Sequence, residues 1–309
     1  MLHSSFHRLY VSLVLIILPT VIYTQQMFTD VPTVFNAIGS KPQVVHLKKN
    51  AIKIPAGGHL QGIQCLDESH LVITASSASY SYYLMAQLDS ATGKGRIEAI
   101  HKIADSPYRH AGGCQMSGNK LVVGIEDNQA KDKSEIVMVL LDDSAKQKES
   151  HVIAHRRGSV KRSTAGAVGF VKTYTDQYLV AVGDWDSRNI DFYFSRKNND
   201  TLVDSVTTFR APDKAKWCSY QAINLLMGSD KIFLIGFGLD GANNRADLFE
   251  VIGQTEATYL RLIGTRNFKC RDGASFRYGA GIYVTPDGRL TIYSCGRNVS
   301  QHTAVNIFR

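Results

Sequence analysis

One outline recurs five times along this chain, and it constrains the fold more tightly than any figure of composition. Its first copy lies between His59 and Asp89. A small–apolar pair, Gly62-Ile63, is followed by a polar turn and the run Leu71-Val72-Ile73-Thr74. A polar break then leads to a third run from Tyr82 to Leu88. The turn-plus-strand signature Glu68-Ser69-His70-Leu71 returns as Gly118 to Leu121, Asp176 to Leu179, Asp230 to Phe233 and Asp287 to Leu290. Each copy has its own small–apolar pair: Gly113-Cys114, Ala167-Val168, Ala222-Ile223 and Gly281-Ile282. Each also has a third run: Ile136 to Leu140, Ile190 to Phe194, Leu248 to Ile252 and Ala304 to Phe308. Several strands per unit at a spacing of roughly 50 residues indicate a radial or stacked β-repeat.

Between the units lie further strand-like stretches, Arg96 to Ile103, His151 to His155, Leu202 to Arg210 and Tyr259 to Phe268, which supply a fourth strand to units one to four. The fifth unit reaches Arg309 with only three. The segment Gln43 to Ile54 precedes unit one without a unit of its own, so it is the expected partner of the last strand. Closing the ring in this way removes long exposed edges. With these features the chain resembles five-bladed β-propellers from about Gln43 to Arg309. The expected fold is therefore all-β, a five-bladed β-propeller closed by an N-terminal strand. The resemblance is one of architecture and names no activity.

Residues 1–24 carry Arg8 and then an apolar run from Leu9 to Tyr23 interrupted by Pro19. A basic start and an apolar centre of this length read as a secretory signal peptide, although Ile22-Tyr23-Thr24 departs from the small-x-small cleavage pattern; an uncleaved anchor is the alternative. The expected organisation is a leader over 1–24, a linker over 25–42 and a single propeller domain over 43–309, secreted or extracytoplasmic. No second segment is apolar for long enough to span a bilayer. The formal charge is +8, modest and scattered, without the basic stripe and stacking aromatics of a nucleic-acid footprint. The densest basic run, His155 to Arg162, reads as a solvated loop or a phosphate or acidic-sugar contact. Five cysteines in an exported chain leave at least one unpaired if bridges form only within the molecule, and Cys270 with Cys295 is the bridge expected on topology.

Propeller geometry turns these positions into a candidate site. First strands start on one face of the disc, and the loops between second and third strands return to it. Four residues before each small–apolar anchor stand His59, His110, Thr164, Ser219 and Tyr278, a ring around the channel mouth. The loops add Glu126-Asp127, Asp184-Trp185-Asp186, Asp240 and Arg297. The expected ligand-binding residues are thus His59, His110, Thr164, Ser219, Tyr278, Trp185 and Arg297. His59 and His110 with Asp127 and Asp184 form a candidate set for a divalent metal. Two functions remain open at this level. One is capture of an extracellular glycan or small metabolite. The other is a hydrolase, metal-assisted or carboxylate-dependent, using the same ring. No G-x-S-x-G elbow, H-E-x-x-H or P-loop is present, and Gly236-Phe237-Gly238-Leu239-Asp240-Gly241 leads towards a strand and not a phosphate-binding helix.

Overall fold

The computed structural model describes residues 30–89, 91–142, 146–195, 207–211, 217–253, 258–285 and 287–309. The expected leader lies outside them, as does the beginning of the stretch Leu202 to Arg210.

The five repeats are five blades. Blade one comprises β2 (Leu60–Cys65), β3 (His70–Ala75), β4 (Tyr80–Asp89) and β5 (Lys94–Asp105), all antiparallel neighbours. Blade two is β6 (His110–Ser117), β7 (Lys120–Glu126), β8 (Lys133–Leu141) and β9 (Gln147–Arg157). Blade three is β10 (Ala167–Lys172), β11 (Tyr178–Gly183), β12 (Asn189–Phe194) and β13 (Thr207–Arg210). Blade four is β14 (Tyr220–Met227), β15 (Ile232–Asp240), β16 (Asn243–Ile252) and β17 (Tyr259–Phe268). Blade five holds β18 (Ala280–Val284), β19 (Leu290–Cys295) and β20 (His302–Phe308). Its fourth strand is β1 (Gln43–Lys48), which runs antiparallel to β20 from Gln43 opposite Ile307 to Lys48 opposite His302.

Closure goes further than a fourth strand. The outer edge of β1 also pairs in parallel with β5 at His46–Lys94, Leu47–Gly95 and Lys48–Arg96. At the inner edge β18 meets β2 through Ala280 and Gly62. Blades five and one are therefore hydrogen-bonded along both edges, and the free edge that a terminal strand would otherwise present is covered.

The small residues of the repeat let the inner strands crowd the axis. A Cβ on Gly281 would lie 1.7 Å from the Ile63 carbonyl oxygen, so any side chain there would force blades five and one apart. Amide side chains then fill the axis below the mouth. The Gln64 amide donates to Asn224 Oδ1 (3.4 Å), and Asn224 Nδ2 donates to the Cys114 carbonyl (3.2 Å). Gln115 Oε1 accepts from the amides of Phe170 and Leu225, each at 2.7 Å, and its Nε2 donates to the Leu225 carbonyl. These buried amides tie four of the five inner strands together and leave the upper part of the channel a blind cavity.

The expected linker is more structured than its composition suggests. Residues Val31–Ala37 form a short helix, α1, whose N-cap Asp30 accepts from the Thr33 amide at 3.0 Å. Val31 and Phe35 are buried with Phe268, Phe276 and Phe308 in the core between blades four and five. The Arg266 guanidinium donates to the Phe35 carbonyl at 2.8 Å, and the Gly39 amide to the Arg309 carbonyl at 2.6 Å. The apolar spacing of Val31, Phe35 and Ile38 was the signal for this face.

All five cysteines are free thiols. The expected Cys270–Cys295 bridge is absent because the two side chains have separate surroundings. Cys270 Sγ faces Ser294 Oγ at 3.8 Å, whereas Cys295 Sγ faces the Tyr278 carbonyl at 3.6 Å.

Candidate functional site

The blind cavity encloses about 680 Å³ at the face where first strands begin. Its walls come from the start of the first strand in every blade and, in blades two to five, also from the end of the second strand or the loop after it. His59 and Gln61 come from blade one, and His110 and Glu126 from blade two. Gly166, Asp184, Trp185 and Asp186 come from blade three, Ser219, Gln221 and Leu239 from blade four, and Arg277, Tyr278 and Arg297 from blade five. In blades one and four a register shift falls at the start of the first strand, between Leu60 and Gly62 and between Tyr220 and Ala222, and at that irregularity His59 with Gln61 and Ser219 with Gln221 reach the cavity. Gln61 and Gln221 were missed, because a register shift is a property of the paired strands. Glu126, expected from the loop after the second strand, is the ladder partner of His110.

Six expected ligand-binding residues line the cavity: His59, His110, Ser219, Tyr278, Trp185 and Arg297. Thr164 does not. It is fully buried, and its hydroxyl donates to the Lys161 carbonyl at 2.7 Å. In blade three the strand starts only at Ala167, and the preceding residues fold into a turn, so counting back four residues leaves the mouth. Gly166 takes the position instead.

The histidines are neighbours. Their ring centroids lie 5.4 Å apart at an edge-on angle of 70°. His110 is buried, with Nδ1 3.2 Å from Glu126 Oε1 and Nε2 3.3 Å from the Gln61 amide nitrogen. Glu126 also accepts from the Ala165 amide at 2.8 Å. His59 Nδ1 faces the Leu60 carbonyl at 3.0 Å. Burial lowers the His59 pKa below the ordinary imidazole value, and the positive fields of His110, Arg297 and Arg277 add to that.

These donors do not fit a divalent metal. His110 Nε2 faces the Gln61 amide and His59 Nδ1 the Leu60 carbonyl, while His110 Nδ1 is buried 3.2 Å from Glu126 Oε1 without a hydrogen bond. Asp127, expected as a third ligand, turns away: its Oδ1 caps the amides of Gln129 and Ala130 at 3.0 Å, and its Oδ2 lies 3.2 Å from Lys133 Nζ. Burial raises the Asp127 pKa, but those amides and Lys133 outweigh it and hold the carboxyl below the usual range. Among the described residues no group of three or more His, Cys, Asp or Glu side chains is arranged to hold a metal.

Asp184 does reach the cavity, with a different task. It accepts from the Asn189 amide at 2.9 Å and from the Asn189 side chain, closing the turn that displays Trp185. Burial pushes its carboxyl above the usual range, only partly offset by those bonds. The turn is anchored again by Ser187, whose hydroxyl donates to the Tyr220 carbonyl at 3.0 Å. Asp186 and Ser187 have φ of 65° and 50°, left-handed values that such over-determined anchoring sustains. Lys131 Nζ sits 3.9 Å from the centre of the Trp185 ring. Asp240 lies outside the cavity wall and pairs with Arg245 at 3.1 Å.

Within the basic run His155 to Arg162, Arg156 and Arg162 are internal wiring, whereas His155, Arg157 and Lys161 are exposed. Arg156 is buried against Asp191 and the Thr164 carbonyl, and Arg162 meets Asp191 through both guanidinium nitrogens, at 2.6 and 2.8 Å.

Fold and site together define a five-bladed β-propeller with one blind, polar, aromatic-bearing cavity at its channel mouth. Two solved structures agree on the fold. A GH43 β-1,3-galactosidase superposes with a TM-score of 0.52 at 9% identity, over 88% of this chain and 60% of its own. A hypothetical protein from Leishmania major gives 0.50 at 13% identity, over 85% and 88%. An exo-β-1,3-galactanase from Clostridium thermocellum gives 0.49 at 10% identity, over 85% and 62%. The chain thus spans about three fifths of the galactosidase and the galactanase. At such identities the likeness shows the fold alone. No protein-family profile and no curated protein matches the sequence.

Proposed function

We propose that this protein captures a carbohydrate in the channel-mouth cavity. The observation that carries the reading is the convergence of Trp185 and Tyr278 with His59, Gln61, Ser219 and Arg297 around a single blind space of about 680 Å³. An aromatic face covers the apolar side of a sugar ring, and fixed donors and acceptors read its hydroxyls. The space is of the size that small ligands occupy. One fold neighbour is a β-1,3-galactosidase, which makes β-1,3-linked galacto-oligosaccharides the first probe. The basic–apolar N-terminal segment supports a role outside the cytoplasm.

A carboxylate-dependent hydrolysis of the same ligand is favoured by one feature, Asp184. A cavity carboxyl raised by burial is suited to hold a proton and give it to a leaving oxygen. The two readings separate in one experiment. Calorimetric titration with β-1,3-galacto-oligosaccharides should give binding that Trp185→Ala weakens by about tenfold, near 1.4 kcal/mol. Hydrolysis requires reducing ends to appear during incubation, and Asp184→Asn to stop them while binding persists. Titrations that show no heat with any oligosaccharide reject the carbohydrate reading.

A further inference from the structure

Charge is divided across the cavity. The carboxylates lie on the walls of blades two and three, and each is already engaged. Glu126 has His110 and the Ala165 amide, Asp184 has Asn189, and Asp186 has Arg188 at 3.5 Å and the Gln221 amide at 3.4 Å. The blade-five wall is the reverse. Arg277 and Arg297 are both exposed there and flank Tyr278, their guanidinium carbons 6.0 and 5.9 Å from its ring centre. Among the described residues neither has a carboxylate within ion-pair distance, whereas Arg156, Arg162 and Arg245 are each held by an aspartate. Two guanidinium charges on one wall repel each other, and among the described residues no carboxylate is within ion-pair distance to offset them. A planar or tetrahedral anion between them would, through charge-assisted hydrogen bonds. The neutral groups beside them, His59 and Ser219, impose no competing negative charge.

Resting on the carbohydrate reading above, we propose that the cavity selects an acidic sugar. Its carboxylate or sulfate is held by Arg277 and Arg297 on the blade-five wall, and its hydroxyls face the engaged carboxylates of blades two and three. The orientation follows from the division of charge: turned the other way, the anion would face three acidic side chains.

The test compares three ligands on the full mature chain by calorimetry: neutral β-1,3-galactotetraose, the same oligosaccharide capped with glucuronic acid, and the same bearing a terminal sulfate. The expected result is that one charged ligand binds at least tenfold tighter than the neutral one, and that its advantage shrinks as salt is raised from about 0.05 to 0.5 M. The better of the two identifies the anion. The double substitution Arg277→Gln, Arg297→Gln should bring the charged ligand down to the affinity of the neutral one. A thermal melt confirms that the variant folds, and the salt dependence of the unsubstituted protein decides the matter if it does not. Equal affinity for all three ligands, insensitive to salt, overturns the acidic-sugar proposal and leaves carbohydrate capture standing. Absence of binding to all three overturns both.

Discussion

His59 precedes and His110 opens the first strand of adjacent blades, yet their surroundings assign them different work. His110 is locked between Glu126 and Gln61, while His59 keeps one ring nitrogen towards the cavity. The depressed His59 pKa has a consequence for stability. Between its folded value and about 6.5 the unfolded chain binds the proton and the folded one resists it, so this group makes stability rise with pH across that window. As pH falls through 6.5 and below, that stability is lost. Urea midpoints measured from pH 5 to 8 should show a shallower slope in His59→Gln, and an unchanged slope would reject the assignment. Asp191 is the second residue whose loss has a defined cost. It is buried and binds Arg156, Arg162 and Thr208 at once. Asp191→Ala leaves a buried guanidinium without its counter-ion, and the expected loss is about 3–5 kcal/mol of unfolding free energy in urea titrations. Because the Trp185 amide donates to the Lys161 carbonyl within the same knot of loops, the variant should also weaken ligand capture.

Among the elements, β1 carries the most consequence for its length. Six residues complete blade five, cover its edge and stitch it to blade one, with Val45 and Leu47 fully buried. Removing residues 43–54 should therefore unfold the domain cooperatively at a much lower temperature, and not merely fray one blade. Leu47→Ala, a milder change, should cost about 2–5 kcal/mol. A truncated chain that melts with the full-length protein would show that closure is dispensable. Helix α1 adds a second tie between the chain ends, since Phe35 enters the core of blades four and five while Gly39 bonds Arg309.

For the whole molecule, an absence of covalent ties follows from where the cysteines sit. Cys65, Cys114, Cys218 and Cys295 are buried, and Cys270 is partly so. Burial pushes the Cys114, Cys218 and Cys270 thiols to about 12 and those of Cys65 and Cys295 higher, so little thiolate forms near neutral pH. Intact mass should be the same with and without reductant. A thiol reagent should label all five only after denaturation, and a bridged peptide in an unreduced digest would contradict this.

The five units, the order of their strands and the closing role of Gln43 to Lys48 were legible in the chain because each depends on local information. A strand that buries one face must alternate, a tight turn must be polar, and an inner strand must carry a small residue where backbones crowd, as at Gly62 and Gly281. Counting back four residues from the apolar anchor of each unit brought His59, His110, Ser219 and Tyr278 to one cavity. It failed at Thr164, because the residues before β10 fold into a turn in which the Thr164 hydroxyl donates to the Lys161 carbonyl and the Thr164 carbonyl accepts from the buried Arg156. The assignment of loop residues to the mouth failed at Asp127, because a carboxylate at a turn is claimed by the nearest free amides before it can reach across a cavity. Arg277 carried no periodic signal at all, and the pairing or solitude of an arginine is a property of its neighbours in space. Local pattern thus determined which strands form and which ends converge; only the packing of blade against blade decided which polar side chains are already satisfied and which are left to meet a ligand.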